Sequence, residues 1–362
     1  MADRFRVGII GAVSSYSLHY ARAFVGMDGV EFVGMAHLGR SAKYIRDALN
    51  LPWLATYPKT VDGYRERFGG GVYESAGDLL AEARPDAVCI CTEDYLHLHY
   101  TLKAVEAGAH VFVPKPFARS RDDAEAMFGA GNAEGVAVVG NLPHRHRPAS
   151  VAAAGAIVEG VIGRPVSGHF SITHHLTLGG WKSDTTMAAG PEYEMGYYVF
   201  DLLRMMMRAE PVKVMGFGAN LDHHGIPYID NGKCLVECDT GALASVDLLL
   251  SMHHRFPPGS GMHVLGDDGG LTIEPDPDTG AESVVIHTAE GVERRPVGTW
   301  RGDERELTKW IDHCRRGVDV GPWQEECLRT LDLITAYKTA HETGEAVVLD
   351  AAADDARAGV GA

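Results

Sequence analysis

Short apolar runs alternate with amphipathic segments over the first 140 residues of the chain. The runs FRVGIIGA, VEFVGMAH, DAVCICT, HVFV and VAVVG are nearly continuously apolar, as in strands that are buried on both faces. Between them, helices are predicted at about 16–27, 42–49, 98–107 and 121–133. Buried strands separated by helices predict a parallel sheet with helices on both faces, which is the doubly wound arrangement of nucleotide-binding domains.

From about residue 149 the pattern changes to longer strands in which apolar and polar residues alternate. The segments CDTGA and GDDGG supply Asp and Gly turn chemistry between such strands, which indicates antiparallel hairpins. We therefore expect an α/β Rossmann-type domain over 1–148, an α+β domain with an open, mostly antiparallel sheet over 149–350, and a tail over 351–362. Two further helices, at about 303–316 and 324–343, are expected to pack against these domains.

Charge and cysteine usage exclude several classes of protein. The 33 Lys and Arg residues against 49 Asp and Glu residues give a net charge of −16, which argues against nucleic acid or an anionic membrane as the main partner. The amino terminus is charged, and no apolar run is long enough to span a membrane, so a cytoplasmic location is expected. The six cysteines form no C-x-x-C pair, which argues against a zinc knuckle or a disulfide framework.

The turn after the first strand has the strand, turn and helix order of a dinucleotide-binding unit. A G-x-G-x-x-G fingerprint would begin at Gly11, but Val13 and Tyr16 replace its second and third glycines. Ser14 and Ser15 offer hydroxyl donors, and a helix N-terminus binds anions without those glycines. Taken alone, the motif is compatible with a phosphate site around Gly11, Val13, Ser14 and Ser15 or with an ordinary strand-to-helix turn.

The second strand ends at His37, where an acid that binds the adenosine ribose is usual. Arg40 and Lys43 follow shortly, and either could pair with a 2′-phosphate, so the sequence favours NADP over NAD as the cofactor. The alternative is that these residues only begin the next helix, with Ser41 as its N-cap. The third strand of the apolar series, DAVCICT, ends at Thr92, so Thr92 and Glu93 are expected at the ligand edge of the sheet.

Lys115 stands between two prolines directly after the apolar run HVFV. Proline restricts the backbone on both sides, so the lysine is held in one place, which suggests that its position matters. The alternative is a strand end interrupted by prolines, with a solvated lysine.

Three segments together resemble the Gfo/Idh/MocA family, the relatives of glucose-fructose oxidoreductase and inositol dehydrogenase. They are GIIGA near the amino terminus, CTEDYLHLHYTLKAVEAGAHVFVPKPFA in the middle and GPEYEMGYYVFDLLRMMM beyond it, and the resemblance spans about 5–350. It implies a Rossmann domain followed by an open-sheet domain. It also implies hydride transfer, with NAD or NADP, to or from a hydroxyl or keto carbon of a sugar, cyclitol or related small molecule.

The family's middle signature, approximately T-P-N-x-x-H followed by A-G-K-H-V-x-x-E-K-P, aligns with Thr92, Glu93, His97 and Lys115. The resemblance implies that Lys115 is the active-site lysine and that the other three residues, like Lys115, lie at the cofactor. A cis peptide bond is expected after this lysine. The chain departs from the signature where Pro114 replaces a glutamate.

The family's second signature, approximately D-x-G-x-H-x-x-D, aligns with Glu194, Gly196, Tyr198 and Asp201. By resemblance Tyr198 takes the place of the catalytic histidine and Glu194 that of the catalytic aspartate. With Lys115 as a neighbouring cation, Tyr198 could transfer the proton that accompanies hydride transfer. The alternative is a buried helix on which Tyr198 only covers an edge.

The chain has 18 histidines, several of them in pairs. One alternative function is a non-redox lyase, isomerase or hydrolase on the same scaffold. Such an enzyme could use a metal held by His144 or His146, by His174 or His175, and by Glu192 or Glu194. A second alternative is a sugar-binding regulator without catalysis.

The leading hypothesis, an NAD(P)-dependent oxidoreductase, needs no metal. Its expected substrate-binding residues are Arg145, His174, Trp181 and Asp201. A homodimer or homotetramer is also expected, because an open sheet exposes apolar side chains on one face.

Overall fold

The computed structural model describes residues 4–174, 178–252, 261–298 and 304–349. The chain divides into two compact units, each assembled from three stretches of sequence. The first unit comprises 1–141, 179–189 and 302–328, and the second comprises 142–178, 190–301 and 329–362.

The first unit contains a sheet of six strands within the described residues, and every neighbouring pair in it is parallel. The strands are β1 (Phe5–Ile10), β2 (Val30–Ala36), β3 (Gly71–Tyr73), β4 (Ala87–Ile90), β5 (His110–Val113) and β6 (Val138–Gly140), in the order β3-β2-β1-β4-β5-β6. This order confirms the predicted Rossmann-type sheet, in which the strand order reverses between β1 and β4.

Seven described α-helices lie wholly in this unit, and most of them begin where a serine or threonine accepts a hydrogen bond from the first turn. They are α1 (Ser15–Val25), α2 (Ala42–Ala48), α3 (Val61–Phe68), the short α4 (Ala76–Asp78), α5 (His97–Glu106), α6 (Arg121–Glu134) and, from the later part of the chain, α9 (Glu304–Arg316). Ser14, Ser41, Thr60 and Ser120 are such caps. α9 packs into the core of this unit, where the Trp310 ring lies 5.3 Å from that of Phe112.

The second unit contains a sheet of nine strands within the described part of the chain. They are β7 (Pro165–Thr173), β8 (Pro211–Ala219), β9 (Asn231–Cys238), β10 (Leu243–Leu249), β11 (Gly261–Gly266), β12 (Gly269–Pro275), β13 (Glu282–Thr288), β14 (Gly291–Pro296) and β15 (Val347–Val348). The order is β14-β13-β12-β11-β7-β10-β9-β8-β15, and only the β7–β10 pair is parallel. The mostly antiparallel sheet and both predicted hairpins are therefore confirmed.

Helices cover one face of this second sheet. They are α7 (Pro148–Val158), α8 (Pro191–Met207) and α10 (Gly321–Thr343), of which α10 begins in the first unit. Two strand glycines allow the close packing: a Cβ on Gly168 would lie 2.8 Å from the Met207 Sδ, and one on Gly216 would lie 2.7 Å from the Tyr337 ring. On the opposite face, large apolar side chains such as Phe217 are exposed.

A carboxylate organises the loop between β8 and β9. Asp230 is buried and accepts hydrogen bonds from the backbone N–H groups of Leu221, Asp222 and His223 and from the Asn231 side chain, at 2.7 to 2.8 Å. Burial alone would raise the pKa of this carboxyl group, but the N–H donors outweigh burial and lower the pKa to about 2. The ionised form therefore stabilises the folded state.

We predict that Asp230→Asn lowers the free energy of unfolding by about 2 kcal/mol at neutral pH, because the amide loses the charge that four donors stabilise. The pKa is depressed in the folded state, so this contribution is present above about pH 4 and is lost as the pH falls toward 2. Urea unfolding at several pH values measures it. Asp278→Asn, at an exposed turn of the same unit, is the control. Equal stability of the two variants at pH 7 would contradict this account.

Candidate active site

The turn after β1 can be made only by a residue without a side chain. Gly11 has φ +102°, and a Cβ there would lie 2.4 Å from the Cys91 carbonyl oxygen. Ser14 then starts α1, and its Oγ accepts from the Tyr16 N–H at 3.4 Å. The first fingerprint glycine is thus required by the backbone, and the turn leads directly into the N-terminus of α1.

The two large residues that replace the other fingerprint glycines lie in the same buried apolar cluster as Trp181. The Trp181 Nε1 donates to the Val13 carbonyl oxygen at 3.2 Å, and Val13, Tyr16 and Trp181 belong to one buried apolar cluster. Trp181 is only 6% exposed. The sequence suggested Trp181 as a substrate-binding residue, and the structure places it in the first unit, against the phosphate loop.

Further hydrogen bonds fix segment 179–189, which contains Trp181, to the first unit. The Tyr95 N–H donates to the Met187 carbonyl oxygen at 3.1 Å, and the Ala189 N–H donates to the Asp94 carboxylate at 2.8 Å. The segment therefore adjoins the loops after β1 and β4 of its own unit.

An ion pair whose carboxylate is buried lies at the carboxyl edge of the same sheet. Glu93 is 1% exposed, and its Oε1 accepts from Arg40 Nη2 at 2.8 Å and from the Tyr44 hydroxyl at 2.9 Å. The Arg40 guanidinium also lies 5.5 Å from the centre of the Tyr44 ring. Burial and the adjacent carboxylate both raise the pKa of Tyr44, and Glu93 raises the pKa of Arg40 although burial opposes this. Tyr44 is therefore neutral, and Arg40 is charged.

Around the Glu93–Arg40 pair, three polar atoms are buried and have no hydrogen-bond partner among the described residues. They are His37 Nδ1, Arg40 Nε and Glu93 Oε2. Buried polar atoms in folded proteins are nearly always bonded, so an unpaired group of this kind is typical of a site that a ligand completes. The donors and acceptors of these three residues suit the hydroxyl groups and ring nitrogens of a nucleoside. The residues present therefore fit a dinucleotide cofactor.

His97 joins the loop after β4 to the loop that carries Lys115. Its ring Nδ1 lies 3.3 Å from the Phe117 carbonyl oxygen, and burial lowers its pKa to about 4. The imidazole is therefore neutral at physiological pH. Nearby, the Thr92 hydroxyl donates to the Glu93 carbonyl oxygen at 3.0 Å. Thr92 and His97 therefore shape the sheet edge through contacts with the backbone.

Lys115 follows β5 at the same edge and is 5% exposed. Its Nζ lies 5.9 Å from the centre of the Tyr16 ring, and the peptide bond to Pro116 is cis, as the resemblance predicted. The alternative of a solvated lysine is wrong, because the side chain is buried. A cation held in a poorly hydrated setting is well suited to stabilise negative charge on a bound ligand.

The second unit brings together four of the predicted residues beside and on α8. The Tyr198 and His144 rings lie 4.4 Å apart, centre to centre, at an angle of 35°. Arg145 pairs with the fully buried Asp201, with its Nη2 2.5 Å from Oδ1 and its Nε 3.1 and 3.2 Å from the two carboxylate oxygens. Both oxygens of Asp201 are thus bonded to Arg145.

Gly196 of the same helix has a packing role. A Cβ there would lie 2.8 Å from the Ile334 Cγ1 of α10. The glycine therefore lets the two helices approach closely. Glu194, in the first turn of α8, is half-buried.

The residues considered for a metal site have other surroundings. Glu192 accepts from His341 Nε2 at 2.9 Å, and His174 has an exposed side chain. Within the described ranges, no three His, Cys, Asp or Glu side chains are grouped so that they could hold a metal ion. His175, His253 and His254 lie outside the described residues. Nothing here supports the metal-dependent alternative.

Two family models match this chain. One, described as an oxidoreductase family with an NAD-binding Rossmann fold, matches residues 5–141. The other, described as the GFO/IDH/MocA C-terminal domain, matches residues 151–272. Together they cover well over half of the sequence. The chain belongs to the Gfo/Idh/MocA family. It is therefore an enzyme, an NAD(P)-dependent oxidoreductase.

Individual relatives agree with this assignment. The 1,5-anhydro-D-fructose reductase of Ensifer adhaerens is 28% identical over 237 residues, which are 62% of this chain and 67% of the reductase. The inositol 2-dehydrogenase of Acidothermus cellulolyticus is 24% identical over 311 residues, 82% of this chain and 86% of the dehydrogenase. The solved structure of the aldose-aldose oxidoreductase from Caulobacter crescentus, complexed with glycerol, has a TM-score of 0.76 at 18% identity, covering 96% of this chain and 100% of that one. This last similarity shows the shared fold.

None of the described helices of this Gfo/Idh/MocA oxidoreductase is long and apolar enough to cross a membrane.

We predict that Gly11→Ala lowers the unfolding free energy by several kcal/mol, because its Cβ would overlap a backbone carbonyl and its φ is positive. Gly39→Ala is a matched control: Gly39 also has a positive φ, +64°, but a Cβ there meets nothing within 4 Å. We expect it to cost about 1 kcal/mol. Thermal and urea unfolding compare the two variants. Equal losses would mean that the close approach to Cys91 is unimportant.

Proposed function

We propose that this oxidoreductase interconverts a hydroxyl and a keto group on a sugar, cyclitol or related small molecule. Relatives named as a 1,5-anhydro-D-fructose reductase and an inositol 2-dehydrogenase support this substrate class. The observation that carries the proposal is Lys115, a lysine buried at the carboxyl end of a parallel strand, the edge where α/β domains bind their ligands. A lysine is rarely buried without a functional or pairing reason.

The nicotinamide cofactor supplies or accepts the hydride, and the protein must provide for the proton. In our proposal, the Lys115 ammonium stabilises negative charge that develops on the reacting oxygen. The burial of Lys115 strengthens this effect, because charges interact more strongly where water is scarce. Hydrogen-bond donors and cations placed in this way contribute about 100-fold or more to rate.

Tyr198 is proposed as the proton donor in the reductive direction, because a phenol hydroxyl can donate a proton to the reacting oxygen. In the oxidative direction the phenol must lose its proton. The contact with the His144 ring fixes the Tyr198 side chain within its own unit. Glu194 is proposed to orient the reacting groups.

We predict that Lys115→Met lowers kcat by about 100-fold or more while the protein still binds NADH or NADPH, because the charge acts chiefly on the developing oxyanion. We expect Tyr198→Phe to lower kcat by about 100-fold as well, because the proton donor is lost. The measurement follows NAD(P)H absorbance over a panel that includes 1,5-anhydro-D-fructose and inositol. Unfolding of each variant is measured in parallel.

Lys103→Met on the exposed side of α5 is the control for Lys115→Met, since it makes the same chemical change away from the sheet edge. It should leave kcat unchanged. Undiminished turnover in Lys115→Met would remove this lysine from the mechanism. Absence of turnover by the wild-type enzyme across the whole panel would contradict the proposed substrate class.

We also propose that the enzyme is a homodimer or homotetramer that associates through the exposed face of the second sheet. Phe217 is 69% exposed and Leu235 63% exposed, and the register of β8 and β9 places both on one face, beside Met215. Adjacent apolar side chains exposed on a sheet are typical of a subunit interface.

We predict that the double substitution Phe217→Lys and Leu235→Lys shifts the wild-type oligomer to a monomer at micromolar concentration, because it places two charges in the apolar patch. Sedimentation velocity measures the change. Val158→Lys, at an exposed apolar residue of α7, is the control and should leave the mass unchanged. A wild-type protein that is only monomeric at this concentration would reject the interface.

A further inference from the structure

We propose that Glu93 supplies the ribose-binding carboxylate that the second strand of this enzyme lacks, and that the Glu93–Arg40 pair thereby selects NADH over NADPH. The proposal rests on the proposed use of a nicotinamide cofactor. It reverses the preference for NADP that Arg40 suggests when the sequence is considered alone.

Glu93 lies close to the end of the second strand, where the ribose-binding acid is missing. β2 ends before His37, so the acid expected at that point is missing, and Glu93 follows β4, two strands away across β1. Arg40 and Tyr44 both reach the Glu93 carboxylate from the β2 side. The loops after β2 and β4 therefore meet above the end of β1, and a carboxylate stands near the edge where β2 fails to provide one.

Only one of the two carboxylate oxygens of Glu93 has hydrogen-bond partners among the described residues. Oε1 already accepts two bonds, whereas Oε2 is buried and has no partner among the described residues. A buried carboxylate oxygen without a donor is costly, so a ligand group that donates to it is bound favourably. An adenosine ribose with a free 2′-hydroxyl is such a donor. A 2′-phosphate offers only acceptors and negative charge.

Arg40 is already paired with the Glu93 carboxylate. An arginine near the second strand could serve as an anchor for a 2′-phosphate, but here its Nη2 is bonded to a carboxylate that is 1% exposed. Releasing Arg40 to a phosphate would leave the Glu93 charge buried and unpaired, next to a second anion. The pair therefore disfavours NADPH twice, by withholding the cation and by repelling the phosphate.

The test measures cofactor binding and needs no substrate. Dissociation constants for NADH and NADPH are determined by calorimetry and by quenching of tryptophan fluorescence, for the wild type and for Glu93→Gln. We expect the wild type to bind NADH at least about tenfold more tightly than NADPH. In Glu93→Gln, which keeps the side-chain size and an acceptor for Tyr44, we expect NADH to bind about tenfold more weakly and NADPH more tightly.

Two controls accompany this variant. Glu106→Gln makes the same change at an exposed residue of α5 and should leave both constants unchanged. Arg40→Leu distinguishes the two roles of the arginine. If Arg40 positions Glu93, its loss weakens NADH binding, and if it anchors a phosphate, its loss weakens NADPH binding alone.

The outcomes separate this inference from the proposed function. A wild-type preference for NADPH, or a specific loss of NADPH binding in Arg40→Leu, would overturn the role of Glu93 even if turnover is found. The wild-type constants decide the question if Glu93→Gln does not fold. Tight NADH binding that depends on Glu93, without turnover of any sugar or cyclitol, would support the inference while the proposed substrate class fails.

Discussion

Parallel pairing of the six strands in the first unit brings the loops after β1, β2, β4 and β5 to one edge of the sheet. That edge carries two buried charged residues, Lys115 and Glu93, and Glu93 pairs with the partly exposed Arg40. Burial strengthens the electrostatic interactions of these charged groups. A charge in poorly hydrated surroundings interacts strongly with whatever ligand group approaches it, so the same topology that collects these loops also gives them their chemistry.

The altered fingerprint has a structural explanation. Gly11 is required because its backbone passes against that of Cys91, whereas apolar side chains stand at the next two fingerprint positions. Val13 and Tyr16 contribute to an apolar cluster with Trp181, a residue some 165 positions further along the chain. The departure from the glycine pattern is thus matched by segment 179–189, which belongs to the first unit despite its place in the sequence.

In the second unit, helices cover one face of the sheet and the other face is exposed. Glycines in β7 and β8 allow α8 and α10 to pack closely on one face, and exposed Phe217 and Leu235 leave the other face apolar. Packing also accounts for part of the α8 signature. Gly196 is needed for contact with α10, and Asp201 holds Arg145, while Tyr198 is only half-buried and is the member of the signature proposed for proton transfer.

The sequence by itself determined the fold class, both hairpins and the position of Lys115 at a strand end, because each depends on local periodicity or on turn chemistry. The need for a glycine at position 11 came from the structure, since it depends on the approach of Cys91. The sequence did not reveal α3 or β3, since only Tyr64 and Phe68 of α3 are buried and β3 has only three residues. Only the tertiary structure decided the neighbours of each side chain. Arg40 suggests a phosphate when considered alone, but folding brings Glu93, 53 positions later, into contact with its guanidinium, and no local pattern encodes that meeting. The order of the strands brings such residues into contact. The ligand that a charged residue at this edge can bind therefore depends on the assembled sheet.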